Sequence, residues 1–186
     1  MVQFEKFNMK KVFFILFILF ICTGLFAQQQ PKIGDIGPAG GIVFYDKGNT
    51  SDGWRYLEAA PAGTETEIVW GLNTNVAGTE TTVGSGRRNT RLIAAALGAS
   101  ASAARLCINL NINGHNDWFL PSIDELYLMY KNLKQKGLGG FKDGFYWSSS
   151  QDAGNYTLAL TRLFSDGNQY IGYKDYANNV RAIRAF

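Results

Sequence analysis

The apolar positions of the chain follow helical spacing most clearly after Ser122. They recur at Leu126, Met129, Tyr130 and Leu133, the spacing of one buried helix face. Ser122 can cap the first turn with its hydroxyl, and Glu125, three residues on, can bond back to the cap as in a capping box. The pattern predicts a helix that begins after Ser122 and ends near Gly137.

Shorter apolar runs, bounded by glycine, proline and polar turns, flank this helix on both sides. Before it, residues 41–45 and 54–59 predict a first hairpin. After it, strands are predicted at residues 146–150, 157–164, 169–173 and 180–186. Strands on both sides of a helical block indicate the α+β class, a compact fold with a mostly antiparallel sheet.

The middle of the chain alternates between loop and helix. Residues 62–86 are rich in glycine, threonine and asparagine and predict a long loop. An alanine-rich helix is predicted over residues 91–97, capped by Asn89 or Thr90, and another over residues 100–110. Together with the capped helix, they make two to three helices in the middle of the chain.

The last predicted strand carries two arginines, Arg181 and Arg184, three residues apart. On a regular strand they point to opposite faces, and Arg184 shares its face with apolar neighbours. A buried guanidinium needs a carboxylate or carbonyls to offset its desolvation. We therefore predict a partner for Arg184, with Asp124 or Glu125 as candidates.

The first 27 residues have the pattern of a secretory signal peptide. Lys10 and Lys11 precede an apolar run over residues 12–26, and Ala27 is a small residue at its end. Residues 28–32 form a short polar lead. This predicts an exported protein, in the periplasm, on the outer surface or secreted.

Alternatives to signal cleavage stay open. The run could remain as an N-terminal anchor, although a membrane span needs roughly 20 residues. Residues 19–22 loosely resemble a lipoprotein signal that would lipidate Cys22, but Ile21 is larger than the small residue such a signal requires. Translation could start at Met1 or at Met9.

Charge and cysteine usage narrow the function classes. The formal net charge is +3 and falls to +1 without residues 1–27, so no overall field favours nucleic acid as a partner. Cys107 is then the only cysteine, which rules out an intramolecular disulfide. Its place between Leu106 and Ile108 predicts a small buried hydrophobe.

Candidate chemistry is sparse. The chain has one histidine, His115, and no G-x-S-x-G motif, so we predict no enzyme, no cofactor and no metal site. Asn113, Asn116 and Asp117 could supply oxygen ligands to calcium. They could equally form a turn in which their side chains cap local backbone groups.

A basic cluster is the best candidate site for an anionic ligand. Arg87, Arg88 and Arg91 lie beside a predicted helix N-terminus, where glycine and serine would leave backbone N–H groups accessible. A solvated basic loop is the alternative. Trp118 and Trp147 could stack on sugar rings, although aromatic residues in such motifs also form core.

Several segments together carry a family resemblance. They are residues 41–45, G-W-R-Y-L-E-A-A-P from Gly53, N-D-W-F-L-P-S from Asn116, Y-W-S-S-S from Tyr146 and V-R-A-I-R from Val180. The set resembles the Lcl C-terminal domain family, named for a collagen-like bacterial surface adhesin, and covers residues 33–186 as a single domain. This chain has no collagen-like region.

The resemblance implies a domain related to the C-type-lectin-like fold on exported or surface bacterial proteins, some of which are similar to adhesins that bind sulfated glycosaminoglycans. We therefore expect a non-catalytic binding domain for a glycan or anionic polysaccharide, with Arg87, Arg88, Arg91, Trp118 and Trp147 as contacts. A structural or homo-oligomerising module is the alternative. An enzyme similar to lectin-like oxidases lacks support, because Cys107 stands alone.

Overall fold

Strands flank a helical middle in the computed structural model, which describes residues 30–186. Residues 31–186 form one compact unit. The helices are α1 (Gly86–Leu97), α2 (Ala103–Ile108) and α3 (Ile123–Asn132). The strands are β1 (Ile42–Asp46), β2 (Tyr56–Ala59), β3 (Thr66–Val69), β4 (Phe145–Gln151), β5 (Leu158–Leu163), β6 (Gln169–Tyr173), β7 (Ala177–Val180) and β8 (Ile183–Ala185).

The strands form two sheets. The smaller sheet has the order β1-β2-β8 and is antiparallel throughout. The larger has the order β3-β7-β4-β5-β6 and is antiparallel except where β4 pairs with β7. The predicted α+β class, with mostly antiparallel pairing and the helices in the middle of the chain, is confirmed.

Central strand β4 is covered on both faces, and this arrangement divides the core in two. Trp147 packs with Trp70 and Ile93 on one side. The neighbouring Tyr146 points the other way and packs with Leu126 and Phe164. Because successive side chains of a strand alternate between faces, Tyr146 and Trp147 pack into opposite halves of the core.

The capping box is confirmed. The Ser122 hydroxyl accepts from the Glu125 N–H at 3.2 Å, and the Glu125 carboxylate accepts from the Ser122 N–H at 2.7 Å. The α3 helix ends at Asn132, and a 3₁₀ turn continues to Gly137, which is left-handed with φ of 70°.

The predicted start of α1 was wrong. The helix begins at Gly86, so Asn89 and Thr90 lie inside it and are buried. The Thr90 hydroxyl donates to the Gly86 carbonyl at 2.7 Å, a bond within the helix and not a cap.

Two further expectations about strands need correction. The predicted loop over residues 62–86 contains β3, which pairs with β7. The predicted last strand over residues 180–186 is two strands, because the chain leaves the larger sheet after Val180 and enters the smaller one at Ile183.

The interpretations of the first 27 residues, including Cys22 and the choice between Met1 and Met9, lie outside the described residues. Within residues 30–186, no helix is long and apolar enough to cross a membrane.

Candidate functional site

The basic cluster lies along the first half of α1, beside an open recess. Arg87 and Arg91 are one helical turn apart and therefore share a side of the helix. They line a recess of about 300 Å³. Its other walls come from α2 and the turn before α3, with Thr90, Ile108, Asn116, Asp117, Trp118 and Phe119 as the remaining lining residues.

Arg87 is held in place from several directions. Its Nη2 lies 3.5 Å from Asp117 Oδ2 and 3.4 Å from the Ala185 carbonyl. Its guanidinium lies over the Phe119 ring, 5.2 Å from the centroid. Partial burial lowers the pKa of Arg87, and Asp117 opposes that shift. The side chain stays cationic at neutral pH, because an arginine pKa starts above about 12.

The other two arginines of the cluster differ in how far their charge is already compensated. Arg88 is exposed and donates to the Gly78 carbonyl at 2.6 Å and to Glu80 Oε1 at 3.4 Å. Arg91 is also exposed, and among the described residues its guanidinium makes no hydrogen bond or ion pair. Arg91 is therefore the cation most available to a ligand.

A second recess of about 250 Å³ lies on the other side of Arg87. Trp54 forms one wall and Glu125 part of the floor. Lys47 Nζ lies over the Trp54 ring, 4.1 Å from its centroid. The Trp54 side chain is only partly buried. Sequence reasoning missed Trp54 as a site residue, because its strand-like neighbourhood gave no sign that it would meet α1.

The N-terminus of α1 is not available to an anion, contrary to the sequence-based expectation. Glu125 Oε1 accepts from the Gly84 N–H at 2.8 Å, and its carboxylate also bonds the Gly86 N–H. A Cβ at Gly86 would lie 2.2 Å from Glu125 Oε2, so only glycine fits there. The carboxylate that closes the capping box of α3 therefore also caps α1.

Glu125 is wholly buried, and its ionisation is finely balanced. Burial raises its pKa to about 7, and the N–H groups of Ser122, Gly84 and Gly86 oppose that rise. Within residues 30–186, no cation is paired with it. The balance therefore rests on backbone N–H groups and the Ser122 side chain.

The two tryptophans predicted as sugar platforms lie in the core. Trp147 is 0% exposed, and its Nε1 donates to the Ile68 carbonyl at 3.1 Å. Trp118 is 2% exposed, and its Nε1 donates to the His115 carbonyl at 3.1 Å. Neither offers a ring face for stacking, because both rings are packed against other side chains. Trp118 keeps only an edge at the wall of the first recess.

A network of ion pairs links the first recess, through Asp117, to the buried side chain of Glu58. Arg184 bonds Asp117 Oδ1 through Nε and Glu58 Oε1 at 3.0 Å through Nη1. Glu58 is fully buried and also accepts from the Gly41 N–H at 3.1 Å. The expectation that Arg184 has carboxylate partners is confirmed, but Asp124 and Glu125 were the wrong candidates.

The predicted polar turn is present, and two of its Asx side chains, Asn113 and Asp117, are in protein contacts. Asn113 is left-handed, with φ of 51°, and its Nδ2 donates to the Ala39 carbonyl at 3.2 Å. Asp117 pairs with Arg87 and Arg184. No group of three or more histidine, cysteine or acidic side chains is arranged for a metal within residues 30–186.

Cys107 is 1% exposed in the core, which confirms its role as a small hydrophobe. Burial raises the pKa of its thiol far above the ordinary value, so the thiolate does not form at neutral pH.

Comparison with known proteins assigns the family. No curated protein matches the chain. The family model of the Lcl C-terminal domain matches residues 62–184, from the turn before β3 into β8. The match includes the basic cluster of α1 and the turn that carries Asp117, and leaves the first hairpin outside. The chain belongs to the Lcl C-terminal domain family.

Proposed function

We propose that the chain is an exported, non-catalytic binding domain that recognises an anionic glycan through Arg87 and Arg91. Its family indicates a surface-associated, adhesin-like domain. The observation that carries the proposal is the pair of arginines one turn apart beside an open recess, with Arg91 uncompensated among the described residues.

The chemistry of the recess suits sulfate or carboxylate groups on a sugar. A planar guanidinium presents paired donors to such groups, and these charge-assisted bonds are about twice as strong as neutral ones. Asp117 disfavours an anion close to it, but its charge is shared between Arg87 and Arg184. The local balance of the first recess stays positive.

The size of the recess favours a short segment of a polymer. Its volume of about 300 Å³ lies at the lower end of the range for small-molecule sites. A site this open leaves both ends of a chain free to continue along the surface. Trp54, in the second recess, is the best-placed aromatic to contact the next sugar, and it takes the role that Trp118 and Trp147 were expected to fill.

A glycan array tests the proposal. We expect the protein to bind sulfated or uronate-rich glycans in preference to neutral ones, and added salt to weaken binding because charge dominates the contact. The triple variant Arg87→Gln/Arg88→Gln/Arg91→Gln should lose this binding. A matched control is Lys131→Gln/Lys134→Gln/Lys136→Gln, which removes the same charge beside α3.

Absence of binding to every anionic glycan would refute the proposal. Equal loss of binding in both triple variants would show that net charge, and not the recess, governs attraction. The thermal midpoint of each variant should be recorded alongside, since Arg87 contacts the Ala185 carbonyl and its loss could loosen β8.

A further inference from the structure

Two carboxylates line the second recess, and they differ in whether a cation accompanies them. Asp52 pairs with Lys47 at 3.5 Å. Glu125 is fully buried at the floor of the recess and has no ion pair among the described residues. The negative charge of Glu125 is therefore stabilised only by backbone N–H groups and the Ser122 side chain.

The Glu125 carboxylate also lies where α1 begins. Its oxygens accept from the N–H groups of Gly84, Gly86 and Ser122, so the first turns of α1 and α3 share one acceptor group. Arg87 directly follows Gly86, and the charge of Glu125 opposes the fall in the pKa of Arg87. The carboxylate of Glu125 and the guanidinium of Arg87 therefore interact through space.

The other charged groups near Glu125 come from α1 and from the turn before Trp54. Three cations and one anion share the recess with it: Arg87, Arg88, Arg91 and Asp52. Strands β2 and β8 contribute Leu57 and Ala185 and no charged side chain to the recess. On α3 the adjacent Asp124 is exposed, and in the loop before α1 Glu80 pairs with Arg88 at 3.4 Å. Ionisation of Glu125 therefore changes the charge beneath the three arginines by one unit.

We propose that binding of an anionic glycan at the arginines of α1 is coupled to uptake of a proton by Glu125, so that affinity is higher in acid than in base. A bound sulfate or carboxylate disfavours a second negative charge nearby and favours the neutral acid. By linkage, the neutral acid favours the bound anion to the same extent. This coupling rests on the proposed function and adds regulation of the same site by pH.

The pH range of the effect follows from the pKa of Glu125, which burial raises to about 7. An anion bound at Arg87 raises this pKa further in the complex. Well below the pKa, Glu125 is neutral with or without ligand, and affinity does not change with pH. Above it, the free protein loses a proton that the complex keeps, so affinity falls as pH rises.

Titration calorimetry with a dextran sulfate oligosaccharide tests the coupling, because the sulfate groups of this probe stay ionised throughout. We expect the affinity of the wild type to fall about fivefold from about pH 5.5 to about pH 8, as for two unit charges close to a protein surface. At neutral pH the binding enthalpy should depend on the ionisation enthalpy of the buffer, which reports the protons taken up. A carboxylate that serves only as a helix cap would take up none.

Two variants assign the proton to a residue. Glu125→Gln should show the same affinity at both pH values and no proton uptake, because an amide does not ionise. His115→Gln removes the only histidine of the chain and should keep the full pH dependence. If Glu125→Gln does not fold, the carbon-13 shift of the Glu125 carboxyl in the wild type, followed against pH with and without the oligosaccharide, should show a higher pKa in the complex.

Equal wild-type affinity at the two pH values, with an enthalpy that does not depend on the buffer, would overturn the coupling and leave the proposed function intact. Loss of the pH dependence in His115→Gln would also overturn it. Absence of binding at both pH values would overturn the proposed function, and the coupling with it.

Discussion

Arg181 and Arg184, three residues apart at the end of the chain, join carboxylates in very different surroundings. Arg181 belongs to a closed cluster with Glu65 and Tyr146. Its Nη2 lies 2.7 Å from Glu65 Oε2, which also accepts from the Tyr146 hydroxyl at 2.7 Å. The Arg181 and Glu65 side chains are 1% and 4% exposed. The pair is therefore almost wholly shielded from solvent.

Arg184 belongs to an open cluster with Glu58, Asp117 and Arg87. Exposure rises along it, from 0% at the Glu58 side chain and 12% at Arg184 to 40% at Asp117. Arg87, at its outer end, is 39% exposed and lines both recesses. A ligand in the first recess would therefore meet the outer end of a network anchored in the core.

The break in the last strand produces this difference. Because the chain changes sheets between Val180 and Ile183, the two arginines meet different carboxylates. Arg181 meets Glu65 just before β3, whereas Arg184 meets Glu58 of β2 and Asp117 of the turn before α3. The closed cluster stabilises the fold, whereas the open cluster positions Arg87 and Asp117 at the surface. A motif with two arginines thus contributes one residue to stability and one to the candidate site.

The largest effect should come from opening the closed cluster. Arg181→Met leaves buried Glu65 with only the long contact to Lys142 at 3.9 Å, and breaking a buried pair in this way costs about 3–5 kcal/mol. Chemical denaturation should report a loss of that order. The control is Arg55→Met, which breaks the more exposed pair with Asp46 and should cost far less stability. Equal losses in the two variants would mean that the closed cluster is not a special support of the fold.

Glu125, a buried carboxylate without an arginine, should make stability depend on pH. Its pKa is raised to about 7 in the fold from the ordinary 4.5. Between these values the folded chain holds a proton that the unfolded chain has lost. Stability should therefore fall as pH rises through this window, by up to about 3 kcal/mol, and level off above it.

Denaturation at a series of pH values checks this dependence. Glu125→Gln should flatten the curve between pH 5 and 7 while lowering stability throughout, because an amide cannot accept at both ends. Burial lowers the pKa of Lys174 to about 8, so above that pH the folded chain loses a proton that the unfolded chain keeps. The wild type and Glu125→Gln should therefore both show a separate rise in stability above about pH 8. A wild-type curve without a decline toward pH 7 would show that the backbone N–H groups keep Glu125 ionised.

Breaking the open cluster should cost less stability than breaking the closed one. Arg184→Gln removes one partner from buried Glu58, which keeps its bond from the Gly41 N–H. We expect a loss of about 2 kcal/mol, because the guanidinium is partly hydrated and Asp117 can turn to solvent. Thermal unfolding measures this, with Arg88→Gln as a surface control. A loss of stability no larger than that of Arg88→Gln would contradict a supporting role for Arg184.

Local signals made part of the fold predictable. The capping box, the first hairpin and the turn between β5 and β6 depend on residues that are close in the sequence. The start of α1 was missed because its cap is Glu125, which lies 41 residues after Gly84. Strand β3 was missed because its polar residues are typical of a loop, and its partner β7 lies far along the chain.

The candidate site was predictable in its charges but not in its aromatic contacts. Arg87, Arg88 and Arg91 are adjacent in the sequence, and a helix brings two of them to one side. Trp118 and Trp147 were ambiguous, because burial depends on which strands and helices cover them. Trp54 gave no signal at all, since its contact with Gly84 exists only after the hairpin packs beside α1.

The affinity of a sulfated oligosaccharide for the Arg91→Gln variant, measured by titration calorimetry, tests most directly whether the basic cluster of α1 carries recognition. Arg91 makes no hydrogen bond or ion pair among the described residues, so the variant should unfold at the wild-type temperature. We expect its affinity to fall by about 10-fold or more, as for loss of one charge-assisted contact, while Arg88→Gln falls less because Glu80 already compensates that charge. An Arg91→Gln affinity equal to that of the wild type would contradict the proposed site.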